Sequence, residues 1–421
     1  MLYNSVDNMI DSISQRDEIG QGAIQPGRYL WIVLLLVTGA VLAQNLMRQG
    51  LPVLYPFIQN EFGLSRAQVG LITSAQALGF SVTVLFAGWL ADTLGVKRMV
   101  TIALLSLTVF NLAFPLAHYF TIVLALAAFI GIVSSPVHPA TTLAVMSWFP
   151  SRIRALAMSC RKSGVPLAGA LTAAVLPALA IAIGWRMAAA ATGVLVLAVA
   201  ISFILLYRDA PRGIQTVHKF NLATLKTILQ NRNLVITIIW VATFVGLQSI
   251  VMTYFMLFLI EKLELSAIIA GAMLAIAQVS SSIARILWGA VSDFVFHGRR
   301  VVVLAITGFI TVLWMLVASL VGVGVPSTTI YLIAIAIGIS TFSSHGVFNT
   351  LIGEQAKPGQ IGVTVGLTST VNNVTQTIVP PLFGYLVDIS NSYSLGWRVT
   401  AVVALVCTLA LLAFAREPQH N

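Results

Sequence analysis

Twelve apolar runs, each close to the length of a bilayer-crossing helix, leave this chain little choice of fold. They lie at about 30–58, 66–90, 100–116, 120–149, 153–183, 186–207, 234–260, 266–291, 301–321, 327–351, 362–386 and 397–414. A helical span needs roughly 20 mostly apolar residues, and inside a bilayer every backbone N–H and C=O must be paired within the segment. Such spans and their turns fill most of the 421 residues, so no sizeable soluble domain is expected. Charged residues make up only 9% of the chain, against roughly a quarter in soluble proteins. Soluble enzymes and DNA-binding proteins are thereby excluded, and an all-α membrane protein is expected.

The longest polar connection, 208–233, divides the spans six and six. The expected organisation is a tail at 1–27, a six-helix bundle at 28–207, a linker at 208–233, a second bundle at 234–414 and a tail at 415–421. The first tail carries Asp7, Asp11, Arg16, Asp17 and Glu18 without an apolar run, which is not the layout of a signal peptide. Lys and Arg collect in cytoplasmic loops. With both termini inside, Lys97, Arg98, Arg152, Arg154, Arg208, Arg212, Arg299, Arg300 and Lys357 among others fall on the cytoplasmic side, whereas Arg66, Arg186, Lys262 and Arg398 fall outside. The net charge of +10 therefore reflects topology and implies no nucleic-acid partner. Cys160 and Cys407 sit far apart in apolar runs and suggest neither a disulfide framework nor a metal site.

The chain also repeats itself. A shift of 201 positions aligns Leu64-Ser65 with Leu265-Ser266, Gly70 with Gly271, Gly88 with Gly289, Asp92 with Asp293 and Arg98 with Arg299. With other offsets, 131–138 mirrors 338–345 and Gly184-Trp185-Arg186 mirrors Gly396-Trp397-Arg398. Parallel six-span repeats are the plan of transporters that bind substrate at mid-membrane between their halves.

The loop after the second span, from Gly88 through Asp92 and Gly95 to Lys97-Arg98, resembles the signature loop of the major facilitator superfamily. Gly289 and Asp293, followed by Gly298-Arg299-Arg300, resemble its second-half counterpart. Glycine permits close helix approach, Asp suits a helix N-terminus, and basic residues pair with it. The resemblance covers nearly the whole chain and implies twelve transmembrane helices as two six-helix pseudo-repeats. Arg48 with Pro52 and Pro56, Glu61 to Ser65, Ser135-Pro136 and Pro139, Trp148-Phe149-Pro150, and Ser163 to Leu167 are similar to the organic anion symporters of that superfamily, which include sugar-acid and organophosphate carriers. The sequence departs from that branch at Arg161-Lys162, where two cations precede the Ser-Gly pair.

Ionisable groups inside a span are costly unless a wet cavity or a partner receives them. All the acids fall in tails, loops or span ends, whereas Arg48, Arg161, Lys162 and Arg285 lie within apolar runs. Cations without carboxylates at their depth make a field that draws anions. Arg48 is eighteen residues beyond Leu30 and too deep to snorkel. Arg48, Arg285 and Arg161 are the candidate anion ligands. Of the adjacent Arg161 and Lys162 only one can face a cavity squarely, and Arg161 is preferred. Gln248, Tyr254, Asn349, Asn372 and Gln376 are candidates to complete the site. His138 and His345, at matching repeat positions, are candidate proton-coupling groups, because histidine titrates near neutrality and a bound anion favours its charged form.

No phosphate-binding loop of ATP-driven transport occurs, so no nucleotide cofactor is expected. The expected protein is a monomeric inner-membrane carrier of a small organic anion, driven by H+ and surrounded by lipid. Drug efflux is the alternative, although such carriers commonly use a membrane carboxylate that is missing here. A transporter-like sensor is the other alternative, for which the short loops offer little surface.

Overall fold

A computed structural model describes residues 26–210, 228, 230–356, 360–415 and 417, without the side chains of 26–28, 85–93, 151, 152, 155, 361 and 362. The expectations for residues 1–25, for most of the linker, and for the side chains of Gly88 and Asp92 lie outside the described residues. The described chain is helical in the order α1 Pro26–Phe62, α2 Arg66–Leu94, α3 Val96–Leu112, α4 Phe120–Ser134, α5 Val137–Trp148, α6 Ser151–Ile183, α7 Trp185–Leu206, α8 Arg232–Glu261, α9 Ala267–Ala290, α10 Arg300–Leu320, α11 Ser327–Ser340, α12 His345–Gln355, α13 Ile361–Ser390 and α14 Tyr393–Phe414. Among the described residues, eleven helical segments are long and apolar enough to cross a membrane. The remaining long helix, α13, carries Thr364, Thr368, Thr370, Asn372, Asn373, Thr375, Gln376 and Thr377, which lower its hydropathy.

Side chains end several helices cleanly. Asn231 accepts from the Leu234 amide at the start of α8, Ser266 from Ile269 at α9, and Ser392 from Leu395 at α14, each satisfying an N–H without an intrahelical partner.

The internal repeat is visible in the backbone. Gly63 turns α1 into α2 with φ 59°, and Glu264, 201 positions on, makes the matching turn with φ 56°. Helix crossings repeat as well. A side chain at Gly131 of α4 would strike the Gln76 carbonyl of α2, and one at Gly338 of α11 would strike the Ala277 carbonyl of α9. Small residues bring membrane helices together through dispersion, since lipid offers no hydrophobic drive for association.

The fourth and tenth apolar runs, expected as continuous spans, are each broken. The fourth separates into α4 and α5 at Ser135-Pro136, and the tenth into α11 and α12 across residues 341–344. Proline explains the first break, because its ring clashes with the preceding turn and it donates no hydrogen bond.

The first six spans meet the last six along α2 with α13, α6 with α9, and α1 with α8. Every hydrogen bond between the halves among the described residues lies toward the end of the bundle that carries Arg66. Arg66 Nη2 meets Glu261 Oε2 at 2.7 Å, and Asp388 accepts from the Arg66 and Ala67 amides at 3.0 and 2.8 Å. Below them the Tyr254 hydroxyl lies 2.8 Å from both the Arg66 and Pro380 carbonyl oxygens, which share its one proton, Thr73 meets Thr253 at 3.0 Å, and Ser74 donates to the Thr377 carbonyl. Gly169 of α6 fits against Gln278 of α9, and Gly271 against Ala173 and Pro177. The halves are thus sealed at the Arg66 end, opposite the end where α7 stops and α8 begins, here termed the linker end.

Candidate functional site

The two broken spans and the cations within the spans occupy the same region. At the first break, Gln44 of α1 donates to the Ser134 carbonyl at 2.9 Å. His138 is the second residue of α5 and is exposed. At the second break, Arg285 of α9 donates to the Phe342 carbonyl from Nε and Nη2 at 3.3 and 3.0 Å, and Ser281 donates to the same oxygen. His345 opens α12 and lies against the Phe348 ring. Helix interruptions at corresponding positions of two repeats are the structural pointer to a transporter's binding region.

Arg48 of α1 is half-buried with its guanidinium 4.2 Å from the centre of the Phe80 ring. A cation over an aromatic face is worth about 0.5–2 kcal/mol and leaves the planar edge of the guanidinium free for an anion. Arg161 and Lys162 divide by helical geometry. Arg161 is 1% exposed and donates to Thr141 Oγ1 at 3.0 Å, within the packing of α5 on α6. Lys162 is exposed. Sequence reasoning favoured Arg161 for the cavity, whereas in this structure the buried Thr141 hydroxyl draws Arg161 into the helix interface. An adjacent residue cannot share that face.

The charges converge. Arg48, Arg161 and Lys162 all act electrostatically on His138, and Lys162 and Arg285 act on His345. Lys162 also feels Arg285 from the other half. Among the described residues no carboxylate acts on Arg48, Arg161, Lys162, Arg285 or either histidine. An uncompensated cation field of this kind is chemically suited to hold an anion and unsuited to hold a cation.

The polar candidates are dispersed. Gln248, Asn372 and Gln376 are half-buried and Asn349 is exposed, and among the described residues no hydrogen bond joins them to the cations. Asn372 Oδ1 is buried without a partner. Tyr254 is fully buried in the seam between the halves, its hydroxyl committed to two backbone carbonyls.

The signature loops occupy the linker end. Gly95 turns with φ 79° into α3, where the Lys97 amide donates to Asp209 Oδ1 at 2.9 Å, and Arg98 is exposed. In the second half Asp293 pairs with Arg300 at 2.5 Å, and Arg300 also reaches Ser292 and Glu354. Arg299, the expected partner, is exposed and precedes α10, while Gly289 is half-buried in the last turn of α9. The Arg66 lock escaped sequence reasoning, although its signal was present: Arg66, Glu261 and Asp388 all sort to one end of the spans.

At the Arg66 end a separate pocket of about 530 Å³ opens between α1 and α8, lined in part by Pro56, Phe57, Asn60, Leu257, Ile260 and Glu261. It lies at the seal, beside the Arg66–Glu261 pair and away from the broken spans.

The sequence pattern of the Major Facilitator Superfamily matches residues 37–376. The chain belongs to this superfamily. It is 23% identical to the hexuronate transporter of Bacillus subtilis (strain 168) over 401 residues, covering 91% of this chain and 94% of the relative. It is 31% identical to the D-galactonate transporter of Escherichia coli O6:H1 over 147 residues, covering 35% of this chain and 34% of that one. The fold matches a crystal structure of a bacterial homologue of the human lysosomal transporter Spinster with a TM-score of 0.78 at 17% identity, covering 95% of this chain and 100% of the other. The chain is a multi-pass membrane transporter rather than an enzyme.

Proposed function

We propose that this superfamily member carries a small organic anion of the sugar-acid type across a bacterial inner membrane by alternating access. The observation that carries this reading is the convergence of Arg48, Arg161, Lys162 and Arg285 near the two broken spans, with no carboxylate acting on them among the described residues. The names of the hexuronate and D-galactonate carriers support it. Arg48, with its guanidinium edge free, is the primary ligand. Arg285 approaches from the other half, Arg161 supports the field from behind, and Gln248, Asn349, Asn372 and Gln376 orient the sugar hydroxyls. The basic residues at the linker end, among them Lys97, Arg98, Arg299 and Arg300, support a reading with both termini in the cytoplasm. The seal at Arg66 then makes this an inward-open arrangement. Protons travel with the anion on His138 and His345, which face fixed cations until a substrate supplies the opposite charge.

A thermal-shift screen of the purified protein against monocarboxylates, sugar acids, phosphate esters and organic cations tests this reading. Stabilisation by sugar acids is expected. Stabilisation by organic cations alone would contradict it.

A further inference from the structure

Helices α6 and α9 come from different halves and meet where Gly169 accommodates Gln278. Lys162 lies seven residues from Gly169, and Arg285 lies seven residues from Gln278, both toward the linker end. Seven residues are nearly two helical turns, about 10 Å of rise, and return a side chain to almost the same face. Lys162 and Arg285 therefore lie about two turns below the contact, on the helix faces that meet there, with the Arg285 guanidinium turned toward the Phe342 carbonyl. Their mutual electrostatic action across the halves agrees with this placement.

Lys162 is exposed, while Arg285 already spends two of its donors on the Phe342 carbonyl and keeps its charge unmatched. Arg48 stands apart on α1 over Phe80, and His138 lies within electrostatic range of both Arg48 and Lys162. The cations thus form two stations. One belongs to the first half alone; the other is shared between the halves. A single carboxylate on Arg48 leaves Lys162 and Arg285 facing each other without a counter-charge. Any closure of the linker end brings these like charges closer.

We infer that Lys162 and Arg285 form a second anion subsite, split between the halves, which makes the preferred cargo a short polar diacid with one carboxylate at Arg48 and the other between Lys162 and Arg285. This rests on the organic-anion reading above and narrows it. The ammonium of Lys162 suits a mobile carboxylate terminus, because it donates in three directions without a fixed fork.

The test is titration calorimetry of the purified full-length protein with D-glucarate and with D-gluconate, a diacid and a monoacid on the same six-carbon chain. The wild type is expected to bind D-glucarate about tenfold more tightly, as one charge-assisted contact confers. Lys162→Gln should bring the ratio close to one, and Lys162→Arg, which keeps the charge, should retain most of it. Lys162 is exposed, so these replacements leave helix packing intact. Equal binding of the two acids by the wild type, or a ratio unchanged in Lys162→Gln, would overturn the second subsite while leaving the organic-anion reading in place. Binding of neither acid would remove both.

Discussion

Arg48 of α1 lies over the Phe80 ring, and among the described residues no carboxylate acts on it, which leaves its charge for a ligand. Arg48→Lys keeps the charge but loses the planar fork that grips a carboxylate in two places. Affinity for the transported anion should fall about tenfold or more, with expression unchanged, as read from uptake and from the amount of protein in membranes. His138 and His345 act differently in the same account. Replacing both with Gln should spare exchange of substrate across vesicles and abolish accumulation driven by a pH gradient. Accumulation that persists with its pH dependence intact would move the coupling group elsewhere. The cations within the spans are legible in the sequence alone, because a charge in an apolar run stands out against its neighbours whatever the fold. The division between Arg161 and Lys162 was not. It turns on acceptors of α5, the Thr141 hydroxyl and the His138 carbonyl, and periodicity says which neighbours oppose each other but not which face meets a donor's partner.

At the scale of elements, the repeat is strict enough to expose its own exceptions. Gly63 adopts positive φ freely, whereas Glu264 occupies the same turn with a β-carbon, at a cost of about 1 kcal/mol. Gly63→Ala should therefore lower the melting temperature in detergent and Glu264→Gly should raise it, each by the equivalent of about 0.5–1 kcal/mol. Shifts in the same direction would show that the turns are not equivalent. The twelve runs themselves followed from hydropathy, since the bilayer demands internally paired backbone. The interruptions between α4 and α5 and between α11 and α12 did not, because broken and continuous helices present the same apolar composition. Pro136 hinted at the first, and residues 341–344 contain no proline to announce the second. The place of Tyr254 in the seam is hidden in the sequence for a related reason. A lone polar group in an apolar helix reads as a ligand until the facing carbonyls of Arg66 and Pro380 are in view.

The whole molecule is governed by which end of its two halves is sealed. Arg66 joins Glu261 of α8 and Asp388 of α13 where solvent only partly reaches them, so these pairs are worth more than exposed ones. In the alternating-access reading proposed above, they must break. Arg66→Ala should make a cysteine at Thr253, fully buried in the seam, react with a thiol reagent about tenfold faster or more, since the lost contacts amount to about 1–3 kcal/mol. An unchanged rate would mean that the close helix packing at Gly169 and Gly271 holds the seal alone. Orientation is tested separately: a cysteine at Arg212 or Lys97 should be labelled by membrane-impermeant reagent from the cytoplasmic side only. The most direct test of the central claim is flux through the purified protein. Proteoliposomes loaded with unlabelled D-glucuronate and exposed to the labelled compound should take it up saturably, and Arg48→Ala should abolish that uptake. Flux equal in wild type and Arg48→Ala, or no flux of any sugar acid beside brisk flux of an organic cation, would contradict the account.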